Sequence, residues 1–220
     1  MNKFVTSLLL IASSLAVSAA SSILTLKNSI TDNSIIYPES FETDTHKMMQ
    51  NWYLKNYAVL NDSYAKTPVV NATDEEYIKR LSSMPTEIEM PYNQVVRSYI
   101  NMYVQRRRDL VESMLGMSLY YMPIFEQALE RKGLPLELRY LPVIESALNP
   151  DAVSRAGATG LWQFMLPTAR GLGLEINTLV DERRDPYASS EAAATYLKQL
   201  YDMYNDWSLA IAAYNCGPGN

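Results

Sequence analysis

The chain has 220 residues, of which 48% are hydrophobic, and a formal net charge of −5. This length allows one domain with a sizeable core plus further segments. The charge disfavours nucleic acid as a partner, because nucleic-acid binding needs a basic surface. Cys216 and His46 are the only residues of their types, which excludes an intrachain disulfide and a zinc site built from several His or Cys ligands. Any chemistry must therefore use carboxylates, hydroxyls and amides.

The N-terminal residues are predicted to be an export signal. Residues 1–20 combine Lys3 with a short apolar run over Phe4–Val17 and small residues before a cleavage point, which is typical of a secretory signal peptide. No cysteine lies near that point, so we do not expect a lipid-modified N-terminus. Residues 21–70 are rich in Ser, Thr, Asn and Asp and are predicted to be a flexible spacer with one short helix around Thr45–Tyr57.

Residues 71–114 are predicted to form an N-terminal helical region. Thr73 followed by acidic residues indicates a helix start, and that helix should extend to about Ser82. Apolar residues at helical spacing then predict one long helix over Tyr92–Leu115. The arginine run 106–108 should form the solvated face of this helix.

Residues 115–220 continue with helices and form the second predicted region. A helix should begin at Tyr121-Met122-Pro123 and end at Lys132-Gly133, since proline favours helix starts and glycine favours positions just past the end. The following helix should open at Leu134-Pro135 and close at Asn149-Pro150. A proline within it, Pro142, should bend it.

The last third of the sequence predicts a short helix over Pro167–Arg170, a surface ion-pairing loop over Asp181–Pro186 and an amphipathic helix over about Ser189–Asn205. A very apolar helix follows over Trp207–Tyr214, and then a turn over Asn215–Gly219. No stretch has a strand pattern, so the predicted fold class is all-α. A helix that is apolar on nearly all sides needs covering elements, so we expect the chain to be a fragment cut inside its last domain.

The stretch Leu141–Pro150 places Glu145 among apolar side chains. Apolar surroundings disfavour the charged form of a carboxyl group, so Glu145 is expected to keep its proton. A carboxylic acid protonated near neutral pH can donate to a leaving group. The alternative is a structural glutamate paired with Arg139 or Arg155.

Three motifs decide between these readings: Glu145-Ser146, Gly160-Leu161-Trp162-Gln163 and Ala213-Tyr214-Asn215. In this order and spacing, together with ESALNP, SRAGATGLWQFM and DERRDP, they resemble the catalytic domain of lytic murein transglycosylases of the goose-lysozyme-like type. The resemblance covers about residue 115 to the end of the chain. It implies a helical lysozyme-like fold with a groove for peptidoglycan glycan strands.

The resemblance also implies a reaction and its residues. The β-1,4 bond between N-acetylmuramic acid and N-acetylglucosamine would be cleaved without water, leaving a 1,6-anhydromuramic end. Glu145 would be the catalytic acid and then the base, and neither metal nor cofactor would be needed. The implied substrate-binding residues are Ser146, Gly160, Leu161, Gln163, Tyr214 and Asn215.

Two alternatives remain at this point. A goose-type lysozyme would hydrolyse the same bond, and an inactive envelope protein would only bind glycan. All three readings place the protein in the periplasm or cell envelope of a bacterium. Association with the membrane surface and the oligomeric state are left open by the sequence.

Overall fold

The computed structural model of the chain describes residues 72–217. The predicted signal peptide, the spacer with its short helix and His46 lie outside the described residues. The first described helix, α1, is Asp74–Ser82, which confirms the predicted start and end. Thr73 accepts a hydrogen bond from the Glu76 backbone N–H, and the Glu76 side chain accepts one from the Thr73 backbone N–H. This capping box satisfies two N–H groups that the first helical turn leaves unpaired.

The predicted long helix over 92–115 is wrong, because the chain is interrupted near its middle. Helix α2 is Gln94–Asn101, and it passes into a π-helical segment, Met102–Arg106. Arg107 then leaves helical geometry, with φ −123° and ψ 47°, and helix α3 begins at the next residue. Part of the arginine run therefore forms the break between two helices, rather than one face of a single helix.

Helix α3, Arg108–Arg131, runs straight through the predicted helix start at Tyr121–Pro123 and across the predicted boundary at 114/115. A proline inside a helix removes the hydrogen bond to the carbonyl four residues earlier, here that of Leu119. Pro123 is exposed and Leu119 is 83% exposed, so that carbonyl lies on the solvent side. The predicted end is confirmed, because Lys132 is the C-cap and Gly133 follows with φ +64°.

The remaining elements are short helical segments followed by two longer helices. They are the 3-10 turn Leu136–Tyr140, α4 Leu141–Ser146, α5 Leu166–Gly171, the 3-10 turn Glu182–Arg184, α6 Pro186–Tyr204 and α7 Trp207–Cys216. Within the described part of the chain only isolated β-bridges occur, and no strand forms. The all-α class is therefore confirmed.

Helix α6 is the centre of the packing, since it contacts α3 on one side and α7 on the other. Trp162 and Phe125 meet edge to face in this core, with ring centroids 5.2 Å apart. Burying one such side chain contributes roughly 1.5–3 kcal/mol. The largest fully buried apolar side chains are Trp162, Phe125, Leu110, Leu129, Leu138, Leu148, Leu161, Leu197 and Leu200.

Helix α7 differs from its prediction in two ways. It continues through Asn215 and Cys216, so the turn predicted to begin at Asn215 is wrong at its start. Its Leu209 side chain is 54% exposed, whereas Ala210 and Ala213 are buried, so the helix packs on one side only among the described residues. None of the helices in residues 72–217 has the length and apolar character required to cross a bilayer.

Candidate functional site

Glu145 lies on the wall of a cleft because its helix is short. Helix α4 ends at Ser146, and the next two residues, Ala147 and Leu148, take left-handed backbone angles with φ 51° and 62°. The chain therefore turns away immediately after Glu145. The cleft has a volume of about 550 Å³ and is lined by Ile144, Glu145, Ser154, Ala158, Gln163, Phe164, Met165, Thr168, Tyr196, Tyr214, Asn215, Cys216 and Gly217.

Burial raises the pKa of Glu145 from 4.5 to about 7. Water solvates a carboxylate better than this partly apolar wall does, so the neutral acid is favoured. Among residues 72–217, none forms a hydrogen bond or ion pair with its side chain. Arg139, an alternative partner in the sequence, instead pairs with Glu126 and donates to the Tyr140 hydroxyl. Glu145 is therefore a carboxyl group that keeps its proton at a higher pH than an exposed glutamate does.

Ser146 lies behind the cleft and fixes the helix that carries Glu145. Its side chain is buried, and its Oγ lies 3.0 Å from the Pro142 carbonyl oxygen and 2.9 Å from the Leu161 carbonyl oxygen. The second contact joins α4 to the loop that follows it. Ser146 therefore joins the helix of Glu145 to this loop, and it does not line the cleft.

The loop over residues 153–164 forms the floor of the cleft. Antiparallel bridges pair Val153 with Thr159 and Thr159 with Phe164, so the loop folds back on itself twice. Gln163 has a left-handed backbone, with φ 49°, and its side-chain amide donates to the carbonyls of Gly160 and Ala152 at 2.9 and 3.3 Å. These bonds hold its side chain at the cleft surface.

Gly160 and Leu161, both predicted to touch substrate, belong to this loop but lie on its side away from the cleft. Leu161 is fully buried in the core. Gly160 has φ +85°, and a Cβ built on it would lie 1.8 Å from the carbonyl oxygen of Arg183. Neither lines the cleft. The loop that the sequence pattern singled out therefore contributes to the cleft, although these two of its predicted residues do not line it.

Tyr214 and Asn215 reach the cleft from helix α7. The Tyr214 hydroxyl donates to the Trp162 carbonyl oxygen at 2.8 Å, which joins α7 to the floor loop. Burial, and secondly the nearby negative charge of Glu145, raise the pKa of this hydroxyl well above its usual value. Asn215 is exposed at the cleft edge and donates to the Ile211 carbonyl at 3.3 Å.

Four of the predicted site residues therefore meet at one cleft: Glu145, Gln163, Tyr214 and Asn215. Several other lining residues lie outside the motifs that predicted the site. Thr168 belongs to the predicted short helix, and Tyr196 to the predicted amphipathic helix. In the sequence, the only indication for these two residues is that each lies on a helix next to a motif. That position does not show which way a side chain points.

The loop over Asp181–Pro186 corrects a further prediction. Arg184 does form an exposed ion pair with Asp151, at 3.2 Å. Arg183, however, is only 9% exposed and forms a two-pronged ion pair with Asp181 beneath the floor loop. The prediction of surface pairing is therefore wrong for Arg183.

No group of three or more His, Cys, Asp or Glu side chains within residues 72–217 is arranged to hold a metal ion.

Comparison with known proteins relates this site to a described family. Residues 122–220 match the family model described as "Transglycosylase SLT domain". Membrane-bound lytic murein transglycosylase D of Escherichia coli strain K12 is 37% identical over 131 residues, which is 59% of this chain and 29% of that protein. Membrane-bound lytic murein transglycosylase F of Maricaulis maris is 37% identical over 111 residues, covering 46% of this chain and 22% of that protein.

The chain thus spans less than a third of the length of these curated relatives. Among solved structures, an inactive mutant of lytic transglycosylase Slt from Pseudomonas aeruginosa aligns with 84% of this chain and 31% of its own. Its sequence identity is 19% and its TM-score 0.43.

Proposed function

We propose, because residues 122–220 match the family model described as "Transglycosylase SLT domain", that this protein is a peptidoglycan lytic transglycosylase. It cleaves the β-1,4 bond between N-acetylmuramic acid and N-acetylglucosamine and leaves a 1,6-anhydromuramic end. Its class is therefore a carbon–oxygen lyase that acts on polysaccharide.

The observation that carries this proposal is the presence of one carboxyl group in the cleft. Glu145 is the single acidic residue among the described residues that line it. A glycoside hydrolase ordinarily needs a second carboxylate, which either activates water or attacks the sugar. Asp151, the nearest other acid in sequence, is exposed and pairs with Arg184 outside the cleft. One carboxyl group fits a reaction in which the substrate supplies its own nucleophile.

In the proposed mechanism Glu145 acts twice. Its proton passes to the glycosidic oxygen as the bond to the muramic carbon breaks, and the muramic N-acetyl group stabilises the cationic carbon. The resulting carboxylate then takes the proton of the muramic 6-hydroxyl while that oxygen bonds to the same carbon. The proton on Glu145 is thereby restored. A pKa of about 7 suits both steps, since neither protonation state is strongly favoured.

The surrounding residues divide into two groups. Gln163, Tyr214 and Asn215 line the cleft and are proposed to orient the sugars, which places the 6-hydroxyl close to the reacting carbon and replaces an encounter with water. Ser146, Gly160 and Leu161 are proposed to hold this geometry from behind.

We propose that the protein works in the bacterial cell envelope, and the similarity to proteins named membrane-bound lytic murein transglycosylases supports this location. Residues 1–20 would direct its export to the periplasm. Its proposed partner is the glycan strand of peptidoglycan, approached at or near the membrane surface.

Product analysis tests this function. Murein sacculi digested with the protein should release muropeptides whose muramic ends are lighter by one water than reducing ends, measured by liquid chromatography and mass spectrometry. A goose-type lysozyme would instead give reducing ends throughout. Binding of sacculi without release of any fragment would support the glycan-binding alternative.

The pH dependence of cleavage provides a second test. Because the catalytic acid must carry its proton, the initial rate should fall as pH rises through about 7, the pKa to which burial raises Glu145. Turbidity loss of sacculi at constant ionic strength measures this rate. A rate that stayed constant from about pH 5 to about pH 9 would contradict the assignment of Glu145 as the acid.

A further inference from the structure

We infer that Arg183, together with Asp181, is a positioning unit for the floor of the cleft, a role that rests on the proposed function. Arg183 belongs to the 3-10 turn Glu182–Arg184, outside the motifs that carry the chemistry, and it does not line the cleft. It nonetheless contacts the floor loop at three places. These contacts involve both its side chain and its backbone.

The side-chain contacts span the loop. One terminal nitrogen, Nη1, donates to the carbonyl oxygens of Gly157 and Phe164, both at 3.2 Å. These two residues bracket the segment that contains Gln163. Two other nitrogens of the same side chain donate to Asp181, with Nε to Oδ1 at 2.9 Å and Nη2 to Oδ2 at 2.8 Å.

The backbone contact lies between these two points. Gly160 packs directly on the Arg183 carbonyl, with no room for a Cβ atom. The segment from Gly157 to Phe164 therefore wraps around a single arginine. The same segment presents the Leu161 carbonyl to Ser146 and the Trp162 carbonyl to Tyr214.

This arrangement connects Arg183 to the cleft from below. Movement of the floor segment would shift Gln163 and both carbonyls that hold Ser146 and Tyr214. Glu145 is the sequence neighbour of Ser146 and lies near Tyr214. The distance between its carboxyl group and a bound sugar therefore depends on the position of the floor loop. Displacements of about 1 Å at such a site can cost on the order of 100-fold in rate.

Only arginine meets the geometric demand. Its planar fork supplies donors in several fixed directions, which lets it bind both oxygens of Asp181 and still reach two carbonyls. Lysine keeps the charge but has one nitrogen on a flexible stem. Asp181 compensates the buried charge, and Arg183 in turn lowers the pKa of Asp181.

The test compares Arg183→Lys with Arg184→Lys in the full 220-residue chain. Arg184 is the adjacent residue and forms an exposed ion pair, so the same substitution there serves as the control. We expect Arg183→Lys to lower kcat for sacculus cleavage by about 10- to 100-fold with KM changed less than about threefold. We expect Arg184→Lys to change either constant less than about twofold.

Amide hydrogen exchange provides a readout that does not depend on catalysis. In Arg183→Lys the amides of residues 157–164 should exchange faster, whereas those of helix α3 should be unchanged. The inference would be overturned if Arg183→Lys left kcat unchanged while the amides of residues 157–164 exchanged faster. It would also be overturned if kcat fell while the exchange of those amides stayed the same. Asp181→Asn should reproduce both effects, and its combination with Arg183→Lys should be less than additive, because each change disrupts the same unit.

The two proposals fail in distinguishable ways. If wild-type digests contain only reducing ends, the proposed reaction is wrong, but exchange and kcat still report whether Arg183 holds the floor. If anhydro ends form and Arg183→Lys is as active as Arg184→Lys, the reaction stands and the positioning role is wrong.

Discussion

Replacement of Glu145 by glutamine is expected to lower the rate of murein cleavage by at least about 10³-fold, because the amide can neither donate nor recover a proton. Glutamine has nearly the same shape, so binding of the variant to sacculi in a pull-down assay should stay close to that of wild type. Muropeptide release measured over a long incubation gives the residual rate. Release within about tenfold of wild type would show that another group supplies the proton.

The same substitution is expected to stabilise the protein above neutral pH. Because the folded pKa of about 7 exceeds the unfolded value of 4.5, ionisation favours the unfolded chain, and wild-type stability falls as pH rises from about 4.5 to about 7. At about 1.4 kcal/mol per pKa unit the loss amounts to at most about 3.5 kcal/mol. Glu145→Gln avoids it, so its Tm should exceed that of wild type by several degrees at about pH 8 and match it at about pH 4.

An exposed glutamate provides the matched control. Glu130 lies on the solvent side of helix α3, and Glu130→Gln makes the same chemical change there. Neither cleavage nor the pH dependence of Tm should move. An equal rise in Tm for both variants would indicate an effect of net charge. It would contradict the expectation that ionisation of the buried Glu145 side chain lowers the stability of the wild-type protein.

Replacement of Gly160 by alanine is expected to have the largest effect on folding. The added Cβ would lie 1.8 Å from the carbonyl oxygen and 2.7 Å from the carbonyl carbon of Arg183. These are backbone atoms, so no side-chain rotation relieves the clash, and the floor loop must move away. We expect a loss of more than about 3 kcal/mol in the free energy of unfolding, together with loss of cleavage, measured by denaturant melts and sacculus turbidity.

Gly157→Ala separates the clash from the backbone preference. Gly157 lies in the same loop with φ +86°, but a Cβ there would meet nothing within 4 Å. Gly157→Ala should therefore lower the free energy of unfolding only by the cost of a left-handed backbone at a non-glycine residue, roughly 1–2 kcal/mol. If the two variants lost equal stability, close packing on Arg183 would not explain the glycine at 160.

The sequence predicted those parts of the fold that depend on interactions between residues close together in the chain. Thr73 and Glu76 form a capping box between neighbours in sequence, and Gly133 ends α3 through its own backbone freedom. The apolar surroundings of Glu145 likewise came from residues within its own helix and the turn after it. These features depend little on the rest of the chain, so the sequence alone was sufficient.

The errors arose where solvent exposure or distant packing decides the outcome. Pro123 resembles a helix start, but it lies on the exposed side of α3, where water can satisfy the carbonyl that proline leaves free. Arg183 belongs to a strongly charged loop typical of a surface, yet its partners include carbonyls 19 and 26 residues away. A sequence pattern gives spacing along the chain, whereas such contacts depend on which segments meet in space.

In the functional site, too, some features follow from the sequence and others only from the folded structure. Segments from all three motifs line the cleft, but their side chains face in different directions: Gln163 faces the cleft, and Leu161, two residues earlier, faces the core. The left-handed backbone at Gln163 sets this reversal. Neither periodicity nor composition predicts such a local conformation.

The central claim is that the cleft holds a single carboxyl group, so that the sugar and not water supplies the nucleophile. Digestion of sacculi in water labelled with heavy oxygen tests this most directly, because hydrolysis places one solvent oxygen on each new muramic end. We expect the new ends formed by the wild-type protein to contain no heavy oxygen and to have the anhydro mass. Heavy oxygen on those ends, absent from digests with Glu145→Gln, would contradict the account and identify the protein as a hydrolase.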